Sequence, residues 1–385
     1  PKPQNPSELN KIGASIHPFW FDIINYLLFI FNKKMDTTKK HLFLIGNPLL
    51  DISVETTDNI LMEKYDLPHG GAMLAGEKQM PIYDELWGMK DKQAIPGGSA
   101  LNSARGANFM LRNQKNENSV VYFGSIADDE KGQFLEKTLL DEGIHGNFHK
   151  CGDQPTGTCA VVVKDQERAL CANLAAACKY SEDHLHNNMD ALRNASLIYT
   201  TSFFLTSNAK ALHEVAAFAT ENDIPFAYNL SAVFLIQFEL DNVLKAMEHA
   251  DYLFANEDEA AAFGTARGME GAALVDIAKE MAKYKKISTK RPRVVFVTYG
   301  AKPIICATNV PGSDEVDVKE YPIQTLEKSQ IIDTNGAGDS FVGAFLAQLY
   351  QGKDLDTAVS AGIYLSREVV QKSGCQFPEK MEWTA

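Results

Sequence analysis

No two cysteines of this chain have C-x-x-C spacing, and no Cys/His cluster has the spacing of a zinc site. The six cysteines therefore read as free, mostly buried thiols of a reducing compartment. No G-x-x-x-x-G-K-S/T string occurs, which excludes a P-loop nucleotide site. No G-x-S-x-G occurs, which removes the strained nucleophile turn of the serine hydrolases. The nine histidines have neither H-x-x-H nor H-E-x-x-H spacing, so none is assigned to a metal or to catalysis. Positive charge is also scarce: 37 Lys and Arg face 50 Asp and Glu, a net of -13. Nucleic acid and anionic membranes both require a basic face, so neither is expected as a partner. A small polyanion stays possible, because a helix end or one Arg supplies enough local positive charge. No run is long and apolar enough for a bilayer span. The most apolar stretch, FWFDIINYLLFIFNKK (19–34), is short and broken by Asp22 and Asn25. It has no small-residue cleavage site, so it does not read as a signal peptide.

What remains is a chain of 385 residues, 45% hydrophobic and 23% charged, within the range of soluble globular proteins. Strands are expected at 41–46, 119–123, 158–163, 197–201, 225–229, 251–255, 293–298 and 304–308. Helices are expected near 99–112, 131–142, 207–222, 240–250, 271–286, 339–350 and 354–371. Several of the strands are apolar without alternation, the mark of strands covered on both faces. Alternating strands and helices then predict a three-layer α/β fold with a mostly parallel central sheet. Ligands of such sheets sit beyond the carboxyl ends of the strands. Two stretches fit that pattern poorly, about 52–96 and 155–178. They are expected to form a small, discontinuous, β-rich lid on a catalytic domain of residues 39–380. Residues 1–38 are expected to be an extension outside the fold, with an interfacial anchor as the other reading of 19–34.

The strongest local signal is IIDTNGAGDSFVGAFLAQL (331–349). Ile331 and Ile332 are expected to end a strand, Thr334 to Gly338 to turn, and a helix to follow with one apolar face of Phe341, Val342, Phe345, Leu346 and Leu349. Gly336 and Gly338 let backbone amides converge at the positive end of that helix, a place for an anion. Asp339 faces the same spot. A carboxylate there is unhelpful for plain anion binding, but suits a base that takes a proton from an attacking hydroxyl. Two plainer readings compete: a dinucleotide loop, although Phe341 occupies its third glycine position, and a turn whose Asp only caps the helix.

DTNGAGDSFVGAF resembles the C-terminal signature of the ribokinase-like carbohydrate and nucleoside kinases. PGGSALNSA (96–104) is similar to that family's N-terminal glycine motif. YFGSIADDEKG (122–132) resembles its G-x-x-G-x-D-x-x-G element, with Ala127 in place of one Gly. GNPLLDI (46–52), PTGTCAVVV (155–163), NLAAA (173–177), NLSAVF (229–234) and GCQFPEK (374–380) look like its adenosine-kinase branch rather than its sugar kinases. The resemblance spans about residues 40–380.

The resemblance implies a ribokinase-like fold and transfer of the ATP γ-phosphate to the 5′-hydroxyl of adenosine, with Mg²⁺. It implies a monomer of the cytoplasm, with the nucleus left open. Asp339 is then the general base, with the amides of Gly336, Ala337 and Gly338 as its anion hole. Asp51 holds the ribose hydroxyls beside Gly97, Gly98 and Asn102. A turn residue is its plain alternative. Asn47, Ser99 and Asn335 are further substrate positions. Leu49, Leu74, Leu170, Ala172, Phe204 and Phe234 form an apolar slot for the purine, although aromatics of α/β chains are more often core. Arg168, in a hairpin turn, closes over the phosphates or else is a solvated surface residue. Asn229, Asn256, Thr298 and Gly300 lie on the ATP side. Asn256 and Glu259 hold Mg²⁺ through water, yet Asn-x-x-Glu is equally a helix capping box. One departure stands out: Ile363 occupies the His place of the family's A-G-H-Y, which puts a polar contact to the ATP adenine there in doubt.

Overall fold

In a computed structural model of the chain, residues 41–68, 71–112, 119–164, 167–310 and 313–384 are described. The expected extension 1–38 lies outside them. Among the described residues no helix is long and apolar enough to cross a membrane.

Among the described residues, fourteen strands make two sheets. They are β1 (His41–Ile45), β2 (Leu49–Glu55), β3 (Gly71–Leu74), β4 (Gln93–Gly97), β5 (Val120–Ala127), β6 (His145–Cys151) and β7 (Thr158–Lys164). The remainder are β8 (Glu167–Asn173), β9 (Ala195–Thr201), β10 (Phe226–Asn229), β11 (Tyr252–Asn256), β12 (Val294–Tyr299), β13 (Lys302–Asn309) and β14 (Val316–Tyr321). The nine-stranded sheet runs β14-β13-β12-β11-β10-β9-β1-β5-β6. It is parallel from β6 to β12, and only β13 and β14 at one edge are antiparallel. The expected mostly parallel sheet is therefore present.

β1 explains the layers. All five of its residues are buried, because successive side chains point to opposite faces and both faces are covered. Leu42 and Leu44 join a core with the helices Ser99–Leu111, Ala337–Tyr350 and Leu355–Val369. Phe43 and Ile45 join a second core with the helices Leu205–Glu221, Leu240–Met247 and Leu274–Lys283. From β1 the chain adds β5 and β6 on one side, then returns to add β9 to β12 on the other. Such a reversal opens a crevice at the carboxyl ends of the strands, where the ligand side is expected.

The second sheet has the order β3-β8-β7-β2-β4. β2 alternates: Leu50, Ile52 and Val54 are buried, while Leu49, Asp51 and Ser53 are partly open. The buried face packs with Leu61, Met62, Ile82, Tyr83 and Leu86 of two short helices. The other face turns to the crevice.

Two local expectations are corrected. Residues 331–334 are not a strand. The chain there hangs on the end of the last long helix, with the amides of Ile332 and Asp333 donating to the Val370 carbonyl at 2.8 and 3.2 Å. Ile331 and Ile332 are exposed. The helix after the turn does not have a single apolar face, because Ser340 to Leu349 are all buried. It is the central helix of its layer, closed off by its two neighbours and the sheet.

Candidate functional site

Gly336 has a φ of +77°, a left-handed conformation that favours glycine, and it begins the Ala337–Tyr350 helix. A Cβ there would also stand 2.9 Å from the Cys375 side chain. The residue after the turn thus has its backbone set by sequence, and the helix end has its positive pole in the crevice. Among the described residues the amides of Gly336 and Gly338 have no acceptor, whereas the Ala337 amide donates to the Thr334 carbonyl at 3.3 Å. Two of the three expected anion-hole amides are therefore free and the third is weakly engaged. A Cβ on Gly338 would meet only open space.

Asp339 sits in the first helical turn. The Ser99 hydroxyl donates to its Oδ1 at 2.6 Å, and the Asn102 amide to its Oδ2 at 3.0 Å. It does not cap its own helix, so the capping reading fails. Burial pushes its pKa up, and the two hydrogen bonds oppose that rise. Ser99 and Asn102 were expected to touch substrate; here both hold Asp339. The Asn102 Oδ1 is buried and has no partner among the described residues, and Asn102 lines a cavity between the turn and the small sheet. Asn47 turns elsewhere: its amide donates to the Phe203 carbonyl at 2.9 Å and to Thr206 at 3.0 Å.

Opposite the turn stands the open face of the small sheet. Register puts Ile95, Asp51, Cys159, Ala172 and Leu74 side by side on β4, β2, β7, β8 and β3. Gln93, Ser53, Val161 and Leu170 form the next row. Leu49, Asp51, Leu74, Leu170, Ala172 and Arg168 therefore share one face, as a common site requires. Leu74 is on the outermost strand and 67% exposed. Gly97 pairs with Leu49, and a Cβ on it would lie 2.3 Å from the Asp51 carboxylate, so any side chain there would displace that carboxylate. Burial raises the Asp51 pKa to about 7. Arg105 and Arg168 oppose the shift, and Asp333 and Asp339 add to it.

Between these walls Asp51, Asn102, Arg168, Leu170, Asn335 and Gly336 line a cavity of about 50 Å³. Pockets for drug-sized ligands are roughly 300–1,000 Å³, so this cavity is smaller than such a ligand needs. Arg168 is not a solvated surface residue. Its guanidinium pairs with Asp333 at 2.6 Å and also bonds Ser373, bridging the small sheet to the turn. Arg168 and Ser373 also line a neighbouring, open cavity of about 530 Å³, so they form the partition between the two.

Along the carboxyl ends of the large sheet, Asn229 ends β10, Asn256 ends β11 beside Thr298 of β12, and Gly300 makes the following turn. The Asn229 Oδ1 accepts from the Ser231 amide at 3.0 Å. Asn256 and Glu259 do form the capping box, with bonds of 2.8 and 3.0 Å. Glu259 is buried, and burial with the nearby charge of Asp339 lifts its pKa to about 7. Ile363 lines a separate cavity of about 560 Å³ with Tyr321, Tyr364, Arg367 and Trp383.

The aromatic slot needs correction. Phe204 is wholly buried in the second core, its ring edge-on to Tyr180 at 5.3 Å. Its neighbour Phe203 instead faces Phe234, 6.2 Å away, and Phe234 is 47% exposed. Sequence reasoning also missed Asp333. This buried carboxylate accepts from the amides of Asn335 at 3.0 Å and Gly374 at 2.8 Å as well as from Arg168, tying together the turn, the C-terminal loop and the small sheet. Its place inside DTNGAGD was the available signal. Cys159 was missed as well, though its strand placed it level with Asp51. Among the described residues no cluster of His, Cys, Asp and Glu could hold a metal alone.

The pattern described as "pfkB family carbohydrate kinase" matches residues 77–382. Adenosine kinase 1 of Arabidopsis thaliana is 38% identical over 341 residues, 88% of this chain and 96% of that one. The crystal structure of Anopheles gambiae adenosine kinase in complex with P1,P4-di(adenosine-5) tetraphosphate aligns with a TM-score of 0.77 at 38% identity, covering 88% of this chain and 98% of that one. The apo structure of Trypanosoma brucei brucei adenosine kinase aligns with a TM-score of 0.81 at 32% identity, covering 87% and 99%.

Proposed function

The chain belongs to the pfkB family of carbohydrate kinases, and on that footing we infer that it is an adenosine kinase: it moves the γ-phosphoryl group of ATP onto the 5′-hydroxyl of adenosine, giving AMP and ADP. One observation carries the reading. Asp51 and Leu170 of the small sheet and Gly336 of the glycine turn line one cavity with Asn102, and Asn102 holds the Asp339 carboxylate just after that turn. That arrangement supports a base, an anion site and a carboxylate for vicinal hydroxyls acting on one nucleoside.

The chain's own residues divide the work. Asp51 accepts the two ribose hydroxyls, and the free Asn102 Oδ1 takes a further donor. Leu170, Ala172 and Leu74 on the small sheet, with Phe203 and Phe234 on the body, flank the purine. The apolar residues of the sheet face, with a half-exposed Phe234 beside Phe203, support a base rather than a bare sugar. Closure of the small sheet excludes water, which would otherwise take the phosphoryl group. Asp339 then receives the proton of the 5′-hydroxyl as that oxygen attacks, and the amides of Gly336 and Gly338 face the developing negative charge. Arg168 already stands at the cavity edge and needs only to exchange Asp333 for phosphate oxygens. Mg²⁺, bound with the ATP phosphates, would supply charge that neutralises them. Glu259 and Asn256 would hold it through water, which suits an ion that keeps most of its waters.

The small sheet's outer face is covered by the chain's own short helices, which supports a monomer. Free cysteines support a reducing compartment, and we place the protein in the cytoplasm. The test is product formation from ATP and Mg²⁺ with adenosine, inosine, ribose and fructose in parallel. AMP from adenosine alone is the expected result. Turnover of a sugar instead would sink the purine slot, and tight adenosine binding without turnover would sink the catalytic reading.

A further inference from the structure

We infer that Ser99 is a positioning residue for the general base: from the joint between the small sheet and the body, its hydroxyl fixes the orientation of the Asp339 carboxylate. The inference rests on the proposed function only in taking Asp339 as the base.

The geometry is local and specific. β4 is an edge strand of the small sheet and ends at Gly97. Gly98 follows with a φ of +97°, and a Cβ on it would come within 2.2 Å of the Asn47 carbonyl. Ser99 is the next residue and the first of the Ser99–Leu111 helix. It therefore sits where the small sheet joins the body. Its hydroxyl reaches Asp339 Oδ1 at 2.6 Å, and Asn102, nearly one helical turn later, reaches Oδ2 at 3.0 Å. The terminal torsion of an Asp is broad and intrinsically loose. Donors on both oxygens fix its plane and leave the remaining lone pairs for the substrate hydroxyl. Reacting groups must be held to a fraction of an ångström for a proton to move with the attack.

The same bond acts on the charge of the base. A hydroxyl donating to a carboxylate favours its ionised form. The titratable groups that face Asp339 are Asp51 from β2, Tyr199 from β9, Glu259 from the Glu257–Ala266 helix and Cys375 from the C-terminal loop. All four become negative when they lose a proton, so none compensates for a lost donor.

The experiment compares Ser99→Ala and Ser99→Thr in the full chain, by adenosine saturation kinetics across pH and by carboxyl ¹³C NMR titration of Asp339, assigned with Asp339→Asn. Ser99→Ala should lower kcat by about 10- to 100-fold and leave the adenosine KM within about threefold. The acidic limb of kcat and the Asp339 titration should both move to higher pH, by about one unit. Ser99→Thr, which keeps the hydroxyl, should restore all of these. A raised KM with an unmoved acidic limb would overturn the inference and make Ser99 a ribose contact only. If the unmodified chain does not turn over adenosine, the functional reading fails by itself. The NMR titration still decides the role of Ser99, since an unshifted Asp339 in Ser99→Ala would overturn it.

Discussion

The two sheets of this protein are built on opposite plans. β1 of the large sheet buries all its residues, and its sequence HLFLI is apolar after the first position. β2 of the small sheet, LLDISVE, buries every second residue and leaves Asp51 and Ser53 on the other face. The large sheet spends both faces on stability, and burial of that kind drives folding at about 25 cal/mol per Å². The small sheet spends one face on stability and keeps the other for a ligand. Substitutions should then sort by face: turnover and affinity on one side, stability on the other.

Asp339→Asn should give the largest effect on the ligand side. Loss of a general base costs about 10²- to 10⁴-fold in turnover. Adenosine binding, measured by calorimetry, should persist. Near-normal kcat in this variant would remove Asp339 from the role of base. It would also leave the turn as a plain anion site.

Phe204 and Phe203 are adjacent in sequence and should fall on opposite sides of the comparison. Phe204 is fully buried, so Phe204→Ala should cost about 3–5 kcal/mol of stability. Phe203→Ala should unfold near the wild-type temperature and raise the adenosine KM. Denaturant titration of both variants, with kinetics on Phe203→Ala, checks the pair. Equal destabilisation would show that the aromatic wall belongs to the core.

Asp51 tests the polar face through pH. Its pKa stands at about 7, above its ordinary 3.8, so the folded chain holds this proton more tightly than the unfolded chain. The stability that goes with the bound proton is complete below about pH 4 and is lost as pH rises through about 7. Adenosine needs the ionised form, so its KM should rise as pH falls below about 7. The melting shift it produces should shrink over the same range, because weaker binding stabilises less. Asp51→Asn should flatten both curves and raise KM by about 10-fold, the value of a hydrogen bond to a charged group. A pH-independent KM in the unmodified chain would take the ribose away from Asp51.

These cases also mark how far the sequence could be read. The glycine turn was legible because its base and its amides lie within four consecutive residues, Gly336 to Asp339, and local order fixes their geometry. The strands of the parallel sheet were legible because two-sided burial writes a continuous apolar run. β2, β3, β4, β6, β8 and β14 were not, since a one-sided or edge strand mixes polar and apolar residues and reads as loop. The grip on Asp339 was not legible either: Ser99 lies 240 residues away, and only the fold brings the two together. Phe203 and Phe204 were exchanged because a tight turn precedes their helix, so neither strand nor helix periodicity says which ring points inward.

Asn256 offers the smallest and most discriminating test, because it belongs to both plans at once. Its side chain caps the Glu257–Ala266 helix by accepting from the Glu259 amide, yet the residue is exposed at the carboxyl end of β11, beside Thr298. Asn256→Ala should cost about 1 kcal/mol in stability from the lost cap. Asn256→Asp keeps an acceptor for the cap and should hold that stability. If the residue also serves the ATP phosphates, Asn256→Asp should still raise the ATP KM, because a second negative charge would then face a polyanion. Melting curves and ATP saturation kinetics on the two variants separate the jobs. A normal ATP KM in Asn256→Asp would leave Asn256 as a helix cap and nothing more, and would move the donor side of the site away from the end of β11.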